Sequence, residues 1–399
     1  MRKIFITAHS MEIGGAERSL LGLLENIDYK KYQVDLFLLR HSGELITSVP
    51  KEVNLLPECL SYSTMGIPIR EALKKRQFRV VLGRIHGWMR AKRRVKKLKL
   101  SRDNNIFNEY SHKYTMWTMP NMSDKVYDLA VSFMAPHYYV IGKVKAKKKV
   151  AWIHTDYSTF QVDWQSEAVM WGQYDRIISL SDKVTDSFLA VFPKLKEKVV
   201  VIENIMPMHY VEKLVNACSV EEEIPKFDGI NLLSIGRFSY PKNFDNIPEI
   251  CKLILKKEEK IRWYIIGFGG DEMLIRRQIE STGMQEHVFI LGKKDNPYPY
   301  IKACDIYVQP SRYEGKSIAV REAQMLGKLT IITNYATAAS QLRDGYDGVI
   351  VPRDNIGCAN GIYEVIKNEE MRDYICQNMK KEDYVSAEEI QKFYELMND

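Results

Sequence analysis

Short apolar runs alternate with segments of helical periodicity along this chain, and the series occurs twice. In the first half, residues 4–9 read as a strand and Gly14-Gly15 as a turn. Leu20, Leu21, Leu23, Leu24 and Ile27 then fall at helical spacing. Apolar runs at 34–39, 127–133, 150–154, 176–180 and 199–202 continue the strand series. The pattern weakens over 205–229, where Pro207, Glu221-Glu222-Glu223, Pro225 and Gly229 mark a connection between domains. A second series follows at 230–235, 262–266, 288–291, 305–308, 328–332 and 348–351, with helical segments at 243–257 and 317–326. Strands separated by helices require a parallel sheet covered on both faces. The predicted class is therefore α/β, with two doubly wound parallel-sheet domains in tandem. In such sheets ligands bind beyond the carboxyl ends of the strands, which directs attention to the loops that follow them.

With 399 residues, 45% of them hydrophobic, the chain can bury two apolar cores without staples. Its six cysteines contain no CxxC pair, which gives no zinc or redox motif and fits a reducing compartment. The first apolar run is too short for a secretory signal, and no stretch is long enough for a membrane span. A soluble, cytoplasmic protein is expected. The net charge of +7 is concentrated: residues 70–99 carry thirteen Lys or Arg against Glu71, a local +12 that leaves −5 elsewhere. That imbalance points to a localised anionic partner.

Candidate chemistry clusters after strands of the second series. Ser311-Arg-Tyr-Glu314-Gly315-Lys316-Ser317-Ile318 leads into a helix carrying Glu322, so Glu314 lies in a loop and Glu322 inside the helix. Eight residues at helical rise would separate the carboxylates by about 12 Å, with a helix N-terminus suited to a diphosphate between them. The plainer reading is a pair of surface glutamates on a solvated helix. In Gly236-Arg237-Phe-Ser-Tyr-Pro-Lys242-Asn243, two cations in one loop can reach the same diphosphate and stabilise charge on a departing nucleotide. Gly267-Phe-Gly269-Gly270 is a further glycine turn after a strand, short of a full dinucleotide fingerprint. In the first half, Gly15 opens a helix after a strand and His154 ends one. His154 could bond a sugar hydroxyl or serve only as a packed side chain, and Asn204 is placed to shape the interdomain turn.

Taken in order, GGAE near the start, GRFSYPKN, IIGFGGDE, the Glu314–Glu322 spacing and Gly345-Tyr-Asp-Gly348 resemble glycosyltransferase family 4 of the bacterial surface-polysaccharide type. The resemblance covers nearly the whole chain and implies the GT-B fold, two Rossmann-like domains facing an interdomain cleft. It implies an N-terminal acceptor domain (1–205, with a basic amphipathic insertion near 70–115) and a C-terminal nucleotide-sugar domain (206–385). A last helix (386–399) would cross back to the first domain.

The implied activity is retaining transfer of a sugar from a nucleotide diphosphate sugar, UDP-linked, to a lipid-linked or polysaccharide acceptor. By that resemblance Glu314 holds donor-sugar hydroxyls, Glu322 the ribose, and Arg237 with Lys242 the diphosphate. Backbone N–H groups of Lys316, Ser317 and Ile318 assist beside Gly315. Gly15 faces the phosphates, His154 sits at the donor sugar, Gly267 lies in the glycine turn, and Lys293 touches the base. The residue after Gly315 is commonly apolar in the family, whereas here it is Lys316. No metal is implied and no cofactor beyond the donor; Lys and Arg would replace Mg²⁺.

The basic segment has a reading of its own. Phe78, Val81, Leu82, Ile85 and Met89 repeat at helical spacing among the cations. Such a helix can lie on the inner face of an anionic membrane, giving a peripheral protein. Alternatively, its apolar face packs on its own domain. No recognition module accompanies the charge, so no nucleic-acid partner is expected. The rivals to transfer are a nucleotide-sugar epimerase of the same architecture and a non-catalytic membrane or nucleic-acid adaptor built on residues 70–99.

Overall fold

Strand β1 (Arg2–Ala8) carries an unbroken buried run from Ile4 onward, as a strand covered on both faces should. It pairs in parallel with β2 (Tyr32–Leu38) on one side and β4 (Val126–Ser132) on the other, so that Ile4 faces Val34 and Leu129. With β3 (Asn54–Leu55), β5 (Lys145–Trp152), β6 (Arg176–Ser179) and β7 (Val199–Val201), the order is β3-β2-β1-β4-β5-β6-β7. A second, six-stranded sheet contains β8 (Ile230–Ile235), β9 (Ile261–Ile266), β10 (Val288–Gly292), β11 (Ile306–Gln309), β12 (Leu329–Thr333) and β13 (Val349–Val351). Its order is β10-β9-β8-β11-β12-β13, again parallel throughout. This computed structural model describes residues 1–99, 105–155, 157, 161–257 and 260–398. Residues 100–104 of the expected basic insertion lie outside that set.

The chain forms two compact units: Met1–Pro207 with Ser386–Asp399, and Met208–Val385. The stretch read as a connection holds the helix Met208–Leu214 within the second unit. The last helix, Glu389–Glu395, is shorter than the periodicity suggested and belongs to the first unit. Two aromatics anchor it there: Phe393 stacks on Trp152 at 6.3 Å, and Tyr394 on Tyr32 at 4.3 Å. The Tyr394 hydroxyl also accepts a hydrogen bond from the Asp28 N–H at 2.8 Å.

In each sheet the strand order reverses once, between β1 and β4 in the first and between β8 and β11 in the second. Those are the topological switch points at which such folds leave a crevice beyond the strand ends.

The basic helix Phe78–Leu98 packs differently from expectation. Its buried positions are Val80, Val81, Gly83, Gly87 and Ala91. A Cβ on Gly83 would lie 2.8 Å from Thr115 Cγ2, and one on Gly87 2.6 Å from the Tyr110 carbonyl oxygen. The two glycines thus let the helix approach the Ile106–Thr115 helix closely. Of the predicted apolar stripe only Val81 is inside; Phe78 is 59%, Leu82 67%, Ile85 40% and Met89 45% exposed, as is Trp88 at 52%. The alternative in which that stripe packs on its own domain is therefore incorrect, because the small-residue face wins the contact.

Candidate functional site

In the second unit, the loops after the adjacent strands β8 and β11 are tied to one another. Arg312 grips Asp245 with two hydrogen bonds, at 2.9 and 2.7 Å, and its N–H donates to the Pro241 carbonyl at 2.8 Å. Asn243, in the left-handed region at φ 61°, donates from Nδ2 to the Pro310 carbonyl at 2.9 Å. These contacts bring Lys242 and Glu314 together, with Nζ to Oε1 at 2.5 Å. Glu314 also accepts from Ser311 Oγ at 2.7 Å, and its carbonyl accepts from Thr337 Oγ1 at 2.8 Å. Ser311 is in turn held by Gln309 Nε2 at 3.0 Å, and Gln309 Oε1 accepts from the Tyr307 hydroxyl at 2.6 Å. A buried relay of polar side chains running along β11 therefore fixes the carboxylate.

Arg237 stands in the same loop as Lys242 but differs from it in being exposed, with no ion pair to its guanidinium among the described residues. The conformation of its loop is set from below. Gly267 adopts φ +154°, and a Cβ there would lie 1.9 Å from the Gly236 carbonyl oxygen. The absent side chain makes room for the chain's own backbone, which gives Gly267 a structural job whatever it does for a ligand. Gly269 does the same beneath Phe238, at 2.3 Å from its carbonyl oxygen.

The helix Ile318–Met325 begins with Ser317 at its N-cap. The Ser317 N–H, expected to face a phosphate, is committed to Gln341 Oε1 at 2.7 Å, and Ser317 is buried. The first intrahelical bond runs from Arg321 N to the Ser317 carbonyl, so the N–H groups of Ile318, Ala319 and Val320 have no partner within the helix, and the first two open it towards a phosphate. Gly315 has nothing near its Cβ position, and Lys316 is half-buried. Glu322 is fully buried and accepts from the Tyr298 hydroxyl at 2.9 Å. The reading of Glu314 and Glu322 as solvated surface glutamates is therefore wrong. Keeping a carboxylate inside is costly unless something compensates it, and such groups concentrate at functional sites. Lys293 follows β10, 5.7 Å over the Phe268 ring and 3.7 Å from Asp295.

In the first unit, Gly15 is the first residue of the helix Gly15–Glu25 and is exposed. Ser19 on that helix donates to Asn204 Oδ1 at 2.6 Å, fastening the segment after β7. His154, just beyond β5, lies 4.7 Å from the Phe133 ring and stacks on Trp152. Burial lowers its pKa to about 4, so the imidazole is neutral, and its Nε2 has no partner among the described residues. Among the described residues no group of three or more His, Cys, Asp and Glu is placed to hold a metal ion.

Sequence reasoning missed the Tyr307–Gln309–Ser311 relay, Gln341 and Tyr298. A signal for the first existed: Tyr307 and Gln309 are polar residues at alternate positions of an apolar strand.

Residues 220–382 match the family described as Glycosyl transferases group 1. An uncharacterized 41.2 kDa protein in the cps region of Klebsiella pneumoniae is 28% identical over 206 residues, 48% of this chain and 54% of that protein. This chain thus spans about half the length of that relative. The amylovoran biosynthesis glycosyltransferase AmsD of Erwinia amylovora is 23% identical, over 61% of this chain and 68% of its own. Among solved structures, Anabaena Alr3699/HepE in complex with UDP and glucose superposes with a TM-score of 0.67, at 15% identity and covering 100% of both chains. The two parallel sheets and these likenesses make the architecture GT-B, and within it residues 220–382 are similar to the group 1 glycosyl transferases.

Proposed function

We propose that the chain transfers a sugar, with retention, from a nucleotide diphosphate sugar to a lipid-linked or polysaccharide acceptor in cell-surface glycan synthesis. The observation that carries this reading is the Lys242–Glu314 pair, set with the exposed Arg237 on two loops at a switch point. Arg237 and Lys242 take the diphosphate, helped by the Ile318 and Ala319 N–H groups. Glu314 exchanges its lysine for donor-sugar hydroxyls, and Glu322 exchanges the Tyr298 hydroxyl for ribose hydroxyls. The C1–O bond to the β-phosphate breaks as the acceptor hydroxyl forms its own bond to C1 on the same face. The acceptor proton passes to a β-phosphate oxygen, giving the glycoside and a nucleoside diphosphate. Positioning and cationic stabilisation of the leaving group supply most of the rate, without a divalent ion.

A UDP-linked donor fits best, since UDP and glucose occupy the Anabaena protein of this fold. A thermal-shift panel of UDP-, GDP- and ADP-sugars tests the reading. A ligand at 100 times its dissociation constant adds about 2.7 kcal/mol of stability. A flat response to every donor would refute it.

The exposed apolar residues of the Phe78–Leu98 helix, beside Arg90, Arg93, Lys96 and Lys97, support peripheral attachment to an anionic bilayer. Each cation at such a surface contributes about 1 kcal/mol. No helix among the described residues is long and apolar enough to cross a membrane. Sedimentation with anionic and neutral vesicles separates the cases, and equal, negligible binding to both would remove the attachment.

A further inference from the structure

In the second unit the Glu314 carboxylate is served unevenly. Lys242 Nζ and Ser311 Oγ both bond Oε1, at 2.5 and 2.7 Å, and no hydrogen bond reaches Oε2 among the described residues. When Lys242 turns to a diphosphate, as the transferase reading requires, Oε1 loses its charged donor and keeps one neutral hydroxyl. A carboxylate only 11% exposed is costly to leave short of donors. The site therefore needs a second donor, one that is unspent before the nucleotide arrives.

The loop after β12 carries such a group. Thr333 Oγ1 donates to the Ser311 carbonyl at 2.5 Å and Thr337 Oγ1 to the Glu314 carbonyl at 2.8 Å, so this loop is fastened to the Glu314 loop on either side of Tyr335. Tyr335 is itself set by two backbone bonds: its N–H donates to the Thr333 carbonyl at 2.8 Å, and its carbonyl accepts from the Ala338 N–H at 2.9 Å. Its side chain is 1% exposed and lies in one packed cluster with Tyr298 and Tyr307. Tyr298 gives its hydroxyl proton to Glu322 at 2.9 Å, and Tyr307 gives its own to Gln309 at 2.6 Å. The Tyr335 hydroxyl has no partner among the described residues. A buried O–H left unpaired is rare in a folded protein and calls for an explanation. Burial, and then the charge of Glu314, raise its pKa above the ordinary tyrosine value, so the group keeps its proton and stays a donor.

We propose that Tyr335 is a positioning residue of the donor site, whose hydroxyl takes the place of Lys242 on Glu314 Oε1 when the lysine turns to the diphosphate. The exchange keeps the carboxylate hydrogen-bonded and aimed, with Oε2 left for the donor sugar. It rests on the transferase reading, and no bond is made or broken at Tyr335 beyond this hydrogen bond.

Calorimetric titration of the full chain with UDP, GDP and ADP tests it. Tyr335→Phe, Lys242→Met and the double variant are then titrated with whichever nucleotide the wild type binds tightest. Without nucleotide, Tyr335→Phe should melt no lower than wild type, since the hydroxyl it removes is unpaired. Its affinity for the nucleoside diphosphate should fall about tenfold or more, the worth of a hydrogen bond to a charged group. On the Lys242→Met background the same substitution should leave affinity unchanged, because there the hydroxyl serves Glu314 with and without nucleotide. A side chain that only supports the fold would lower the melting temperature and act alike on both backgrounds. Wild-type affinity in Tyr335→Phe, an equal loss on both backgrounds, or a nucleotide-free melting temperature lowered by several degrees would each overturn the exchange and leave the transferase reading standing. Failure of all three nucleotides to bind the wild-type chain would instead bring down the transferase reading, and the exchange with it.

Discussion

Replacing Lys242 with Met removes one half of an ion pair whose side chains are only 20% and 11% exposed. Glu314 would keep the Ser311 hydroxyl as its remaining side-chain partner. Exposed pairs are worth about 0.2–1 kcal/mol and breaking a fully buried one costs about 3–5. The intermediate burial places the loss at about 1–2 kcal/mol, a fall in Tm of roughly 2–8 °C. Neutralising the carboxylate as well, in Lys242→Met/Glu314→Gln, should recover at least half of that loss, since no unpaired charge is left behind. Activity should behave otherwise. Loss of a cation from the leaving group costs on the order of a hundred- to a thousandfold in kcat, and the double variant recovers none of it. Scanning calorimetry and nucleoside diphosphate release on the same preparations separate the two effects. A single variant with wild-type turnover would refute the leaving-group role. A double variant no more stable than the single one would refute the pairing.

Gly267→Ala should destabilise the second unit by about 2–4 kcal/mol in urea unfolding, because φ is +154° and a Cβ would stand 1.9 Å from the Gly236 carbonyl oxygen; an unchanged midpoint contradicts that packing. Burial lowers His137 to about 3 and His154 to about 4, so the unfolded chain binds more protons than the folded one below pH 6.5. Their contribution is complete above about pH 6.5 and drains away as pH falls towards 3, which stability measured across that range would show as a downward slope on acidification. Glu167 acts in the opposite sense: raised from 4.5 to about 7, it weakens the fold as pH climbs through that window. Glu167→Gln should therefore gain stability relative to wild type from about pH 4.5 to pH 7 and hold the gain above; a constant difference would be evidence against a raised carboxyl. Leu82→Ser with Trp88→Ser should alter stability by less than about 0.5 kcal/mol per site while lowering retention on anionic vesicles. Unchanged vesicle binding would show that the apolar surface plays no part.

The strand series was legible because parallel strands such as β1, β8 and β12 are buried on both faces and read as continuous apolar runs. The loops carrying Arg237, Lys242 and Glu314 were legible because each directly follows such a run. What escaped depends on contacts between positions distant in sequence. The two-residue β3 has no apolar period to detect. Gln341 reaches the Ser317 N–H across 24 positions, and Tyr298 meets Glu322 across the same separation. The packed face of the basic helix was misjudged because large apolar residues outweigh glycines in any hydrophobic pattern. Gly83 and Gly87 allow the closer approach, and the side chains with the greater apolar area are left outside.

The most direct test of the donor site is a crystal structure of this chain with UDP or the nucleoside diphosphate selected by thermal shift. Pyrophosphate oxygens are expected within about 3 Å of Arg237 and Lys242, with Glu314 released from its lysine towards the sugar side. Nucleotide density elsewhere, with the Lys242–Glu314 pair intact, would contradict it.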